Sequence, residues 1–325
     1  VNPLESETNV LWDPYRKEPI AELVNKPPLV RMGGKRYLAD RITAMINATD
    51  YSMYVEPFIG GGRIYFEKEP HFEEIIADVE GRIANFLFCC KRFATEMYLA
   101  QATLIKDENT FERIYDEYHD PIRLQKIEDR ITRATAQYEA GDENAIPILV
   151  EEAMKFYFYS NMAFRGSLTA RTMTYFENDP RTETNRCRYR IYRPIFWMAE
   201  RMRRTQVLHK DFEKTFEIAL KYQNHTRIWV LDPPYPETEG YEHAWTWEDM
   251  ARLNECLKRI PRTDYFIFTM KRSSKAYRLF SWCWRRSVAT HYTTGGAGQC
   301  KEVKEWIITP PWHPKKKAGL GKWIK

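Results

Sequence analysis

Three short apolar runs in this chain are each followed by an acid, and that pattern constrains the fold more than any other feature. Glu74-Ile75-Ile76-Ala77 leads into Asp78, Gln206–Leu208 is followed by Asp211-Phe212, and Arg227–Leu231 leads into Asp232. Short β-branched and apolar runs read as buried strands. Strands alternating with helical sequence imply an α/β domain with a largely parallel sheet. Such sheets place their ligands beyond the carboxyl ends of the strands, so acids at those ends are positioned for a ligand. Further strand-like runs are Tyr51–Phe58, Tyr265–Thr269, Ser287–Tyr292 and Glu305–Thr309. Helical spacing appears at 36–47, over about 80–105 and at Trp247–Arg259. Residues 98–204 interrupt this alternation before it resumes.

A chain of 325 residues that is 43% hydrophobic can bury a large core without covalent staples. Its six cysteines (89, 90, 187, 256, 283 and 300) include no Cys-x-x-Cys pair, and its seven histidines show no zinc spacing. Reduced core thiols and no metal are therefore expected. No window of 18 apolar residues would span a bilayer, and the first residues carry acids and prolines where a signal peptide needs an apolar run. The expectation is a soluble, cytoplasmic protein without membrane association.

The net charge of +5 averages unlike parts. Residues 98–152 hold 13 acids against 6 bases, whereas 153–210 hold 12 bases against 4 acids and are rich in Phe, Tyr and Trp. Cations interleaved with flat rings suit a nucleic-acid surface, with charge for phosphates and rings for bases. The plain alternative is a solvated basic face over an aromatic core. Residues 1–28 read as an extended arm, and 313–325 as a basic tail with five lysines.

The sharpest motif is Asp232-Pro233-Pro234-Tyr235, directly after a strand. An exocyclic amine on a base is a weak nucleophile because its lone pair is delocalised into the ring. A carboxylate accepting one N–H and a backbone carbonyl accepting the other draw that nitrogen toward tetrahedral geometry. The lone pair then points at an electrophilic methyl group. Proline fixes φ, so the carbonyl is aimed in advance, and Tyr235 offers a ring on which an extruded base can stack. The alternative is a simple turn, since Pro-Pro is a common breaker.

A second motif, Glu56-Pro57-Phe58-Ile59-Gly60-Gly61-Gly62, places glycines after a strand, where the backbone turns tightly and can approach a ligand. Asp78 ends the next strand, where an acid typically holds ribose hydroxyls. Together they point to an adenosine-bearing cofactor, without the Gly-x-Gly-x-x-Gly spacing of nicotinamide binders. A third, Arg31-Met32-Gly33-Gly34-Lys35-Arg36, precedes a helix and suits a carboxylate or phosphate, or is a turn with a solvated lysine.

With these motifs in this order, the chain resembles the Dam-like DNA adenine-N6 methyltransferases from about residue 29 to 310. The resemblance implies a Rossmann-like class I methyltransferase mixed sheet with a largely helical target-recognition insert. It implies a catalytic domain at 29–97 and 205–312, with the insert at 98–204. It implies S-adenosylmethionine as cofactor, S-adenosylhomocysteine as product, double-stranded DNA as partner, and a monomer or weak dimer in a prokaryotic or phage-infected cell. Asp232, Pro233, Pro234 and Tyr235 match the family's catalytic tetrapeptide. Lys35 resembles the contact to the methionine end of the cofactor; Glu56, Pro57, Phe58, Gly60 and Gly62 its cofactor loop; Asp78 the ribose-binding acid; and Asp211 and Phe212 the pair near the adenine.

Asn161, Arg165, Arg171, Arg186, Arg188, Lys271 and Arg272 are the candidate DNA contacts. Two departures stand out. Arg31 occupies the family's tryptophan position ahead of Gly-Gly, and Arg165 replaces an asparagine of the recognition insert, so no target sequence is carried over. Cytosine-N4, RNA or protein-glutamine methylation on the same motif, or a silent binding module, are the alternatives.

Overall fold

A computed structural model describes residues 29, 36–103, 108–163, 171, 194–236, 245–293 and 300–314. Arg31, Lys35, Arg165, Arg186 and Arg188, the arm at 1–28 and nearly all of the tail lie outside the described residues.

Seven strands form one sheet in the order β3-β2-β1-β4-β5-β7-β6. They are β1 (Met53–Glu56), β2 (Glu74–Asp78), β3 (Thr205–His209), β4 (Arg227–Leu231), β5 (Tyr265–Lys271), β6 (Trp284–Thr293) and β7 (Cys300–Thr309). The first five are parallel; β7 runs antiparallel between β5 and β6. The chain winds outward from β1 to β3, then restarts at β4 on the other side of β1. The switch point between β1 and β4 is where open α/β sheets open a crevice for ligands. Every expected strand is present, and the differences are in length. The Tyr51–Phe58 run shortens to four residues because Pro57 cannot donate to the ladder. The last two strands lengthen because they pair with each other over ten residues each.

Helices α1 (Arg36–Ala48), α2 (Arg63–Glu67), α3 (Gly81–Arg92) and α4 (Ala94–Thr103) belong to the first half. Helices α5 (Glu108–His119), α6 (Pro121–Glu139), α7 (Ile146–Met162) and α8 (Pro194–Arg201) come from the interrupting stretch. Helices α9 (Phe212–Leu220), α10 (Trp247–Arg259) and α11 (Ser274–Leu279) complete the second half. Start signals act where the sequence provides them: Asp120 caps α6 ahead of Pro121, and Thr246 with Asp249 forms a capping box on α10.

One apolar core joins α1, β1 and α3 to α7 and α8, so the described helices of the interrupting stretch share the interior of the first half. The Phe86 and Tyr157 rings stack at 5.0 Å between α3 and α7. A second core fills the opposite sheet face beneath α9, α10 and α11. Cys89, Cys90, Cys256 and Cys283 are free and buried, and burial pushes their thiols above the usual range.

Two buried charge clusters tie the interrupting stretch to the first half. Glu74, at the start of β2, is bonded by Lys68 after α2 and by Arg201 of α8, whose Nη1 donates at 2.5 Å. Burial alone would raise the Glu74 carboxyl, but the two cations hold it at about 2; burial lowers Lys68 to about 8. On α3, Arg82 is buried with Glu80 at 2.9 Å and stacks over Tyr118 of α5 at 4.3 Å, with Glu128 of α6 at 3.6 Å.

Candidate active site

The carboxyl edge of the parallel strands collects Glu56, the glycine loop, Asp78, Asp211 and Asp232. Strand β4 is buried along its whole length and ends at Leu231, so Asp232 is the first residue past the ladder and is only half-buried. Asp232 Oδ1 accepts a 2.8 Å hydrogen bond from Thr269 Oγ1 on the neighbouring strand β5. Pro233 is buried while Pro234 and Tyr235 are half-exposed, so the tetrapeptide turns outward from the sheet with Tyr235 packed against the second core.

Across the switch point, β1 ends at Glu56, which is 3% exposed. Tyr54 Oη donates to Glu56 Oε2 at 2.7 Å. Burial raises the Glu56 carboxyl to about 8, and the negative charge of Asp232 adds to that rise. Burial thus favours the protonated form of the Glu56 carboxyl, across the switch point from Asp232.

The glycine loop is tied down at Asp78. Ile59 N–H donates to the Ala77 carbonyl at 2.9 Å, and Gly60 N–H to Asp78 Oδ2 at 2.9 Å. Asp78 Oδ1 accepts from Glu80 N–H at 3.0 Å, and the Asp78 carbonyl accepts from Lys210 N–H at 3.2 Å. The loops after β1, β2 and β3 thus meet at one residue. A carboxylate has about four acceptor sites, so fixing the loop is compatible with accepting ribose hydroxyls.

Gly60 and Gly62 hold φ of +48° and +74°, the region glycine adopts without the Cβ penalty. Their surroundings differ. A Cβ at Gly62 would lie 2.7 Å from the Phe66 ring, whereas one at Gly60 would meet nothing within 4 Å. Among the described residues, Gly60 therefore faces open space.

An aromatic group borders this loop. Phe58 lies 5.6 Å from Phe212 in a stacked arrangement, and Trp245 meets each of them at 5.4 Å. Trp245 Nε1 is buried with no hydrogen-bond partner among the described residues. Phe212 is buried, and Asp211 caps α9 by accepting from Lys214 N–H at 2.8 Å. An open glycine turn, an aromatic group with an unpaired donor, and half-buried carboxylates fit a nucleoside carrying hydroxyls and a cationic tail. Among the described residues, no group of three His, Cys, Asp or Glu side chains is arranged to hold a metal.

The predicted DNA contacts separate. Asn161 is buried near the end of α7 and its Nδ2 donates to the Tyr157 carbonyl at 2.9 Å. Arg171 is exposed and pairs with Asp116 of α5 at 3.8 Å. Lys271 and Arg272 are exposed at the end of β5, on the Asp232 side of the sheet.

Sequence reasoning did not single out Thr269, Tyr54 or Trp245. Thr269 carried a signal, since it ends a strand run beside the one that leads into Asp232. Trp245 carried one in its place just ahead of the Thr246 capping box.

The comparisons agree with this geometry. Residues 32–294 match the family described as D12 class N6 adenine-specific DNA methyltransferase. The Type II methyltransferase M1.LlaDCHI of Lactococcus lactis subsp. cremoris is 25% identical over 263 residues, covering 77% of this chain and 83% of that protein. With its acid-terminated strands, its glycine loop and Asp232-Pro233-Pro234-Tyr235 on one sheet edge, the chain belongs to the D12 class of N6 adenine-specific DNA methyltransferases.

Proposed function

We propose that the chain methylates the N6 of an adenine turned out of double-stranded DNA into the crevice between β1 and β4, with S-adenosylmethionine as donor. The observation that carries this reading is the half-buried Asp232 carboxylate at the end of β4, oriented by Thr269. Asp232 accepts one N–H of the amine, and a carbonyl of the Pro233-Pro234 segment accepts the other. Both acceptors are held before the substrate arrives, so little reorganisation is needed during reaction. Tyr235 stacks on the extruded base.

The donor, when bound, supplies an electrophilic methyl carbon on a sulfonium. Transfer would form the N6–C bond and leave the C–S pair on sulfur, with S-adenosylhomocysteine as product. Asp232, already accepting that N–H, takes the surplus proton and passes it to solvent.

Glu56, Pro57, Phe58, Gly60, Gly62, Asp78, Asp211 and Phe212 are the residues proposed to hold the cofactor, with Trp245 added to them. Asp211 contributes by starting α9 beneath Phe212. Lys35 is proposed for the methionine end on the resemblance alone, and Arg31, at the family's tryptophan position, is proposed to stack against the cofactor in its place. Arg171, Lys271 and Arg272, with Arg165, Arg186 and Arg188, are proposed to meet DNA. Asn161 is proposed to support the insert from within α7. The catalytic part is proposed to comprise 29–97 and 205–312, and the recognition insert 98–204.

The test is product analysis. The protein is incubated with methyl-labelled S-adenosylmethionine and unmethylated duplex DNA or RNA, and the digest is resolved into nucleosides. Label in N6-methyladenine from duplex DNA is expected. Label in N4-methylcytosine, or in RNA alone, would overturn the substrate assignment.

A further inference from the structure

From Tyr265 to Lys301 the chain contains seven lysines and arginines and not one acid. The fold gathers much of it on one flank. Strand β5 ends at Lys271, Arg272 follows, α11 carries Lys275 and Arg278, and β6 begins with Trp284-Arg285-Arg286.

The pairing register puts Ser287 opposite Trp306, and Ala289 opposite Lys304. Alternation along the strands then places Arg285, Ser287, Trp306 and Lys304 on the sheet face that α11 covers. There the side chains build a ladder. The Arg285 guanidinium lies 4.4 Å over the Tyr277 ring, Tyr277 lies 6.3 Å from Trp306, and the Arg272 guanidinium lies 5.7 Å over Trp306. Arg272 Nη1 also donates to Ser287 Oγ at 3.5 Å, and Arg285 Nη1 to the Phe280 carbonyl at 2.6 Å.

Stacking holds long cationic side chains in place at lower entropic cost than free rotation would allow. Tyr277 is 54% exposed, and Arg272, Lys275, Arg278 and Lys304 are exposed. The flank is thus an exposed, positive surface with rings set between its cations. It is continuous with the catalytic edge, because Arg272 follows the end of the strand that carries Thr269.

We propose that this flank of β5, α11 and β6 is a second docking surface for duplex DNA. It takes the sugar–phosphate backbone beyond the base being modified and reads no sequence. The inference rests on the DNA-methylation reading above and extends its footprint away from the recognition insert. A duplex fits better than a single strand, because the charges spread over a helix and two strands rather than lining a narrow groove, and phosphate contacts of this kind fix register without specificity.

The experiment measures binding of the full chain to a short duplex and to one extended by flanking base pairs, across a salt series. It is repeated with the double variant Arg278→Glu and Lys304→Glu, whose folding is checked by its thermal midpoint. The unaltered protein is expected to bind the extended duplex more tightly. The variant is expected to lose that gain, and its slope of log K against log salt to flatten by about 2, near the release expected for two phosphate contacts. An unchanged slope and an unchanged gain in a folded variant would overturn the second surface. Absence of any duplex binding by the unaltered protein would instead overturn the function on which it rests. If the variant loses affinity for short and extended duplexes equally, the flank acts at the target itself, and the separate surface is also refuted.

Discussion

Thr269 Oγ1 donates a 2.8 Å hydrogen bond to Asp232 Oδ1 across the neighbouring strands β4 and β5. The bond fixes the rotation of the carboxylate that is proposed to accept the adenine N6–H. Thr269 is itself buried, so its own rotamer is set by packing. Replacing it with valine keeps the shape and removes the donor. A hydrogen bond to a charged group contributes about 1.5–3 kcal/mol, so Thr269→Val is expected to lower kcat by about 10- to 100-fold. KM for S-adenosylmethionine should change little, and Thr269→Ser should restore most of the rate. Steady-state kinetics of the three proteins check this, and an unchanged kcat for Thr269→Val would remove Thr269 from the account.

The glycine loop yields a paired prediction. At Gly62 a methyl group is both in the left-handed region and 2.7 Å from the Phe66 ring. At Gly60 it is left-handed but unobstructed by the described residues. Gly62→Ala is expected to destabilise the fold by several kcal/mol, through strain and overpacking together. Gly60→Ala should cost about 1–2 kcal/mol yet weaken cofactor binding more, because its methyl enters the space proposed for the cofactor. Denaturant titration and calorimetry separate the two. Equal loss of cofactor affinity in both variants, after correction for folding, would contradict the assignment of that space.

Glu56 makes a pH prediction. Its carboxyl is raised by burial from the ordinary 4.5 to about 8, so the folded protein holds a proton that the unfolded chain releases. Stability from this group is fully present below about pH 4.5 and is lost as pH rises toward 8, at about 1.4 kcal/mol for each pH unit traversed. Glu56→Gln keeps a neutral group of the same shape and should not titrate. The variant's thermal midpoint, relative to the unaltered protein, is expected to rise from pH 5 to about 8 and to level off above it. A difference that stays flat over this range would mean Glu56 ionises normally.

How far the sequence reveals all this depends on the kind of residue. The strands, the glycine turn and Asp232 were legible because apolar runs, glycine and proline act locally, and the ends of the runs mark the binding edge. The sheet order was not legible, since β7 inserts between β5 and β6 through pairings that no local pattern announces. The buried cluster of Lys68, Glu74 and Arg201 was equally invisible. Charged residues read as solvent-facing until the fold brings opposite charges together.

The acidic stretch shows the same limit. Part of its charge is consumed in pairs, with Glu128 against Arg82, Asp116 against Arg171, and Glu151 and Glu152 against Arg130 and Lys155. Asn161 looked like a polar contact for DNA and lies inside the core, because α7 is buried nearly all round. Thr269 was within the strand run at the sequence level, but its partner 37 residues away emerges only from the register of β4 and β5.

The central claim is that the Asp232 carboxylate activates the adenine amine. Its most direct test is single-turnover transfer of labelled methyl from S-adenosylmethionine to duplex DNA by Asp232→Ala, with cofactor and DNA affinities measured on the same preparation. The account predicts that both ligands still bind within about 10-fold of the unaltered protein, while the transfer rate falls by about 10³-fold or more, as expected when a preorganised polar group at the reacting atom is lost. Transfer at an undiminished rate by a folded Asp232→Ala protein would contradict it.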